Sequence, residues 1–199
     1  MDLKGYNEGV VKKIDAALAQ MLDVGEQDTL RKAMMHLPLS GGKRLRPSLA
    51  MLVADCVSGE GGRALPFGLA LEIIHNFTLV HDDIMDRDDY RRGVKTVHKM
   101  WDEPTAINAG DALFARAFEI LSTVEVTPEV FRELVYDVAC MVRQIGEGQQ
   151  WDMEFEKQKK VTEEEYLKMI ERKTALMFMT GAKGGALIGG GTEEQVKAM

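Results

Sequence analysis

Cysteine is nearly missing from this chain: Cys56 and Cys140 are the only two in 199 residues, and neither stands in a CxxC or similar ligand spacing. A disulfide framework and a structural zinc site are therefore excluded as organising principles, and a reducing cytoplasm is the expected compartment. Positive charge is in deficit too. With 25 Lys and Arg against 32 Asp and Glu, the formal charge is −7, which argues against a nucleic-acid surface, where basic residues must exceed acidic ones. An anionic small molecule would need metal ions or a local basic cluster. No apolar run approaches the roughly 18 residues of a membrane span, and no apolar h-region stands near the N-terminus, so neither stable membrane insertion nor secretion is expected. Proline numbers five, and 45% of residues are hydrophobic, which argues against disorder and for one folded domain over residues 1–199. Strand alternation, fixed-period repeats and low-complexity tracts are absent as well.

What is present is helical periodicity, and the expected fold class is all-α. Val10, Val11, Ile14, Leu18, Met21 and Leu22 recur at three- and four-residue steps until Gly25, a residue suited to a left-handed helix end. A short helix is expected over 29–35, and Pro47 fits the first turn of a third. A long apolar helix is expected from about Leu65 to Arg87, followed by an irregular stretch to Val97. The pattern is helical again from Thr105 to Leu121, with Asp111 embedded among small and apolar residues. Thr127-Pro128 pairs an N-cap with a proline at the first helical position, and Glu147 to Asp152 reads as the polar end of that helix. Thr162 and Glu165 form a capping box whose helix is expected through Tyr166, Met169, Ile170 and Leu176 and on to about Leu187.

Three constellations carry chemistry. Asp82, Asp83, Asp86, Asp88 and Asp89 crowd the end of the apolar helix, and Arg91-Arg92 follow. Crowded carboxylates call for a cation, and on a helix Asp82 and Asp86 lie one turn apart on one face, placed for Mg²⁺. An acidic helix end bathed in solvent accounts for the same residues, but this one emerges from a segment too apolar to lie on the surface. Gly41-Gly42-Lys43-Arg44-Leu45-Arg46-Pro47 places three cations beside a glycine pair and a helix start, a combination that suits phosphate and equally describes a solvated basic turn. His75, seven residues before Asp82, shares its helical face, and a core histidine is the plainer reading. Arg91 and Arg92 point in different directions and so suit two separate anions, or else simply pair with Asp88 and Asp89. Lys173, inside an apolar helix, must find an anion. Together these make one acidic cluster and at least three separate cationic spots, the requirement for holding two polyphosphates at once.

The ordered set Gly42-Lys43-Arg44-Leu45-Arg46-Pro47, His75, Asp82-Asp83-Ile84-Met85-Asp86, Arg91-Arg92-Gly93, Gly148-Gln149 and Lys173-Thr174-Ala175 resembles the trans-type isoprenyl diphosphate synthases, or polyprenyl synthetases, over essentially the whole chain. The resemblance implies an isoprenoid-synthase-type helical bundle, usually a homodimer. The implied activity is Mg²⁺-dependent condensation of isopentenyl diphosphate with an allylic diphosphate (dimethylallyl, geranyl or farnesyl). It also implies that Asp82 and Asp86 hold Mg²⁺ with Asp83 in support, and that Lys43, Arg46, His75 and Arg92 bind isopentenyl diphosphate. By the same resemblance Arg91, Lys173, Thr174 and Gln149 bind the allylic diphosphate, with Asp152 nearby, and Lys173 and Thr174 join Asp82 and Asp86 in the catalytic set. Phe77 and Thr78, just before the acidic motif, would set product length. The single aromatic at this level resembles archaeal-type geranylgeranyl diphosphate synthases, with farnesyl or geranylgeranyl diphosphate as product. Helical phase alone puts Thr78 on the Asp82 side and turns Phe77 away, so the floor role of Phe77 rests on the resemblance.

One family feature has no counterpart: the second aspartate-rich motif, on a later helix. The sequence ends a few residues into a new helix at Met199, and the expectation is an incomplete bundle holding the N-terminal two-thirds of the domain. Two functions follow. One is a prenyltransferase whose competence needs residues beyond 199. The other is a non-catalytic substrate-binding or regulatory partner subunit. A terpene cyclase fits less well, because it has no use for the cations at Lys43, Arg46 and Arg92.

Overall fold

The computed structural model describes residues 3–199, with the side chains of residues 3, 4, 6 and 7 outside the described set. Its α-helices are α1 (Leu3–Leu22), α2 (Asp28–His36), α3 (Leu45–Ser58), α4 (Leu65–Met85), α5 (Val97–Met100), α6 (Glu103–Leu121), α7 (Pro128–Phe155), α8 (Glu163–Ile170), α9 (Leu176–Ile188) and α10 (Glu193–Lys197). They sort into two compact units. One holds the residues up to Ser48 and Leu65–Val124; the other holds Leu49–Ala64 and Glu125–Met199. No helix among the described residues is long and apolar enough to cross a membrane.

In the first unit α4 packs along α6, and α2 also rests on α6. The reason is compositional. α4 buries Phe67, Leu69, Leu71, Ile73, Ile74 and Val80, each contributing about 1.5–3 kcal/mol of apolar transfer. α6 presents the small residues Ala106, Ala109, Gly110 and Ala117, so the two backbones approach closely. At Gly110 a Cβ would lie 2.2 Å from His81 Nε2, so only glycine admits that ring. Asp102 caps α6 by accepting from Thr105 N at 2.7 Å. Ile14, Leu18 and Leu22 on α1 are fully buried.

In the second unit α7 packs against α8, α9 and a π-helical turn, Glu171–Ala175, that separates the latter two. α9 and the body of α3 share a cluster of Val53, Ala182 and Ala186, flanked by Leu49, Val57 and Val196. Thr127 caps α7, and the capping box of Thr162 and Glu165 opens α8.

Several expectations need correction. Tyr90–Arg91 and Val94–Lys95 pair as a two-stranded antiparallel hairpin where irregular chain was expected. Its turn residues, Arg92 at φ 52° and Gly93 at φ 79°, are both left-handed, which is the primed turn that matches strand twist. α7 does not end at Glu147 to Asp152 but continues to Phe155. The helix after the capping box does run on to Ile188, but with a π-helical turn, Glu171–Ala175, inside it. Asp111 is not embedded: its side chain is 70% exposed, with His81 Nε2 3.8 Å away.

Candidate active site

In the first unit an arginine cluster surrounds the middle of α4. Arg44, held at φ 49°, is buried and donates from Nε to Asp15 at 2.8 Å, from Nη1 to Glu72 at 2.8 Å and from Nη2 to the Pro38 carbonyl at 2.7 Å. The bonds reach α1 and α4, so Arg44 fixes the glycine-rich loop to both. Arg92, at the hairpin turn, donates from Nη1 to the Gly41 carbonyl at 2.6 Å and to Asn76 Oδ1 at 3.2 Å. Those acceptors are neutral and leave its charge uncompensated at close range. Burial works against the charge on both Arg46 and Arg92; Glu72 favours it in each case, and the two guanidinium-bearing loops disfavour each other. His75 stands among them. Burial first, then Arg46, Arg92, Arg91 and Arg44, push its imidazole down to about 3, so it is neutral at ordinary pH. Lys43 lies exposed on the same loop. The structure thus gathers Arg46, His75 and Arg92 around one half-buried, electropositive spot.

At the far end of α4, Asp86 N donates to the Asp82 carbonyl at 2.8 Å, which keeps the two residues one helical turn apart although α4 formally ends at Met85. Asp82 is half-buried and Asp86 exposed. Two hard carboxylates one turn apart suit Mg²⁺, which takes one or two protein carboxylates and fills its remaining positions with water and phosphate oxygen. The donor set fits the ion. Among the described residues no group of three or more His, Cys, Asp or Glu converges into a metal cage. Asp83 faces elsewhere. It is fully buried, its Oδ1 accepts from Arg91 Nε, and its Oδ2 has no hydrogen-bond partner. Burial raises its carboxyl above the usual range, against the pull of Arg91. Arg91 also reaches Asp88 at 3.4 Å, while Asp89 pairs with Lys99 at 2.9 Å. Neighbouring arginines do point apart, as their adjacency in the chain requires.

Between these two regions lie Phe77 and Thr78. The Phe77 ring packs against His81 at 5.0 Å and Phe114 at 5.2 Å between centroids, and Phe114 meets Phe118 at 5.2 Å, an aromatic column along the α4–α6 contact. Thr78 spends its hydroxyl on the His75 carbonyl at 2.8 Å.

The second unit holds the remaining candidates. Gly148 of α7 touches the π turn so closely that a Cβ would sit 2.5 Å from Lys173 N. Lys173 Nζ donates to Asp152 at 2.5 Å, an anion for its ammonium. Thr174 is exposed. Both polar atoms of the Gln149 amide are buried without a hydrogen-bond partner. A π turn in the middle of a helix marks functional positions often enough that its coincidence with Lys173 and Thr174 bears on their role.

Motif reading passed over Glu72 and Asn76. The available signal was an acid and an amide four residues apart in an otherwise apolar helix, since buried polar groups must find partners.

Residues 27–199 match the family model for polyprenyl synthetases. The geranylgeranyl diphosphate synthase of Methanosarcina mazei is 47% identical over 186 residues, spanning 94% of this chain and 57% of that protein. The short chain isoprenyl diphosphate synthase of Methanothermobacter thermautotrophicus is 42% identical over 197 residues, 99% of this chain and 59% of its own length. The geranylgeranyl pyrophosphate synthetase structure from Geoglobus acetivorans superposes with a TM-score of 0.93 at 42% identity, covering 96% of this chain and 63% of that one. The chain therefore spans less than two thirds of the length of these relatives. An all-α framework, the ordered motifs and a family match over most of the sequence agree: this chain belongs to the polyprenyl synthetase family.

Proposed function

We propose that this chain is the substrate-holding part of a Mg²⁺-dependent prenyl diphosphate synthase, folded as a single isoprenoid-synthase domain. It would join isopentenyl diphosphate to an allylic diphosphate to give a short all-trans product, farnesyl or geranylgeranyl diphosphate. The observation that carries this reading is α4 itself. Its middle carries a neutral His75 beside Arg46 and Arg92, and its C-terminal end bears Asp82 and, just past Met85, Asp86. One helix thus offers an anion site and a metal site at fixed separation.

In this reading Lys43, Arg46 and Arg92 bind the diphosphate of isopentenyl diphosphate, with neutral His75 as a hydrogen-bonding partner. The family resemblance assigns Arg91, in the first unit, and Lys173, Thr174 and Gln149, in the second, to the allylic diphosphate. Asp82 and Asp86 hold Mg²⁺, which when bound neutralises charge on the departing diphosphate. The allylic carbon–oxygen bond breaks with its electron pair going to the diphosphate, the alkene of isopentenyl diphosphate bonds to the allylic carbon, and the proton then lost passes to the released diphosphate. The protein's own task is to orient the two substrates, offset their charge and exclude water. Phe77 would limit the length of the growing tail. The active species is proposed to be a cytoplasmic homodimer.

A non-catalytic substrate-binding or regulatory partner subunit is the second reading, in which the anion site around Arg46, His75 and Arg92 holds a diphosphate without turnover. Incorporation of labelled isopentenyl diphosphate into farnesyl diphosphate, with Mg²⁺, by the 199-residue chain and by any longer form its gene encodes, separates the two. A labelled prenyl product supports the synthase. Substrate binding without product from either form supports the partner subunit, and failure to bind either substrate overturns both.

A further inference from the structure

We infer that Glu72 is a built-in counter-charge that sets how tightly the Arg46–Arg92 cluster holds a diphosphate, trading ligand affinity for stability of the ligand-free fold. The inference rests on the proposed anion site, and on geometry no sequence motif marks.

Glu72 is 2% exposed and Asn76, one turn later on α4, is fully buried. Glu72 Oε1 accepts from Arg44 Nη1 at 2.8 Å and from Asn76 Nδ2 at 3.4 Å. Asn76 also donates to the Glu72 carbonyl at 2.7 Å, and this fixes its amide so that Oδ1 faces Arg92 Nη1 at 3.2 Å. The acceptors that hold Arg92 are neutral oxygens of Leu37, Gly41 and Asn76. Glu72 is the carboxylate that favours the charged state of Arg46 and the leading one for Arg92, where Asp83 adds a smaller contribution, each acting through space. With no anion present, three guanidinium groups disfavour one another in a half-buried setting, and a buried acid offsets that cost. The same negative charge repels any diphosphate that enters. Asp15, the other acid on Arg44, has a side chain 50% exposed, so solvent screens it and it cannot serve as the same control.

Glu72→Gln keeps the shape and the acceptor oxygen and removes one charge. Asn76→Asp keeps an acceptor for Arg92 and adds one. The test is calorimetric titration of the whole chain with inorganic pyrophosphate, and separately with isopentenyl diphosphate, at fixed ionic strength without Mg²⁺, alongside thermal unfolding. Glu72→Gln should bind both ligands roughly 3- to 10-fold more tightly while unfolding at lower temperature, the size expected of one unit charge at close range. Asn76→Asp should bind more weakly by a similar factor, and Asp15→Asn should stay within about twofold, as a screened surface charge would. A purely structural Glu72 would lose affinity and stability together, so equal or weaker binding by Glu72→Gln overturns the inference. If that variant does not fold, an unchanged affinity in Asn76→Asp overturns it instead. Should the unsubstituted chain bind neither ligand, the anion-site reading itself falls, and the inference falls with it.

Discussion

His75 shows how much one residue's surroundings decide. An isolated imidazole titrates near 6.5, whereas burial and four arginines bring this one to about 3. Between those two values the unfolded chain binds a proton that the folded chain does not, so stability must fall as pH drops from about 6.5 toward about 3. Replacing His75 with Gln removes that linkage. The variant's thermal midpoint should therefore fall less steeply than the parent's between about pH 6.5 and about pH 4, and equal slopes would mean that His75 takes up its proton without unfolding. Phe77 makes a second case. Its ring packs on His81 and Phe114, so it closes a wall built from two helices. In a form of the protein that turns over, Phe77→Ala should lengthen the products resolved by chromatography, and an unaltered distribution would leave Phe77 as plain core packing. These residues were nameable from sequence because they sit in motifs. Glu72 and Asn76 were not singled out, because their importance comes from Arg44 and Arg92, 28 and 16 residues away in the chain.

Among the elements, those ended by local chemistry were legible and those shaped by packing were not. Thr127, the pair Thr162 and Glu165, and Gly25 at φ 92° each behave as their side chains require. The hairpin has strands of two residues, too short for any alternation to register. The π turn has no sequence signature either, since residue types through Glu171–Ala175 keep helical character and its conformation goes with the approach of Gly148. Two glycines of α7 separate these effects. Gly146 meets nothing within 4 Å, so Gly146→Ala should be neutral or stabilise by up to about 1 kcal/mol through helix propensity. Gly148→Ala drives a methyl into the Lys173 backbone and should cost about 1–3 kcal/mol, read from denaturant midpoints. If the two variants unfold alike, the π turn is not packed on Gly148.

For the molecule as a whole, composition and periodicity were enough to reach an all-α framework, and the ordered motifs were enough to reach the family. Composition does not say which carboxylates face solvent. Asp83 lies inside a run of acids that reads as uniform, yet it is buried against Arg91 while Asp86 one turn on is exposed. Three residues apart, the two share a helical face, but α4 ends at Met85, so Asp83 stays inside the packed helix while Asp86 stands just past its end.

The placement of His75 and Asp82 on a single uninterrupted helix has an evolutionary corollary. Seven residues separate them, close to two full turns and about 10 Å of rise. Inserting or deleting one residue in that interval would rotate one group by about 100° relative to the other and uncouple them at a stroke. Under the proposed reading, variation along this stretch is thereby confined to exchanging side chains in place, which leaves the spacing between the two proposed sites fixed.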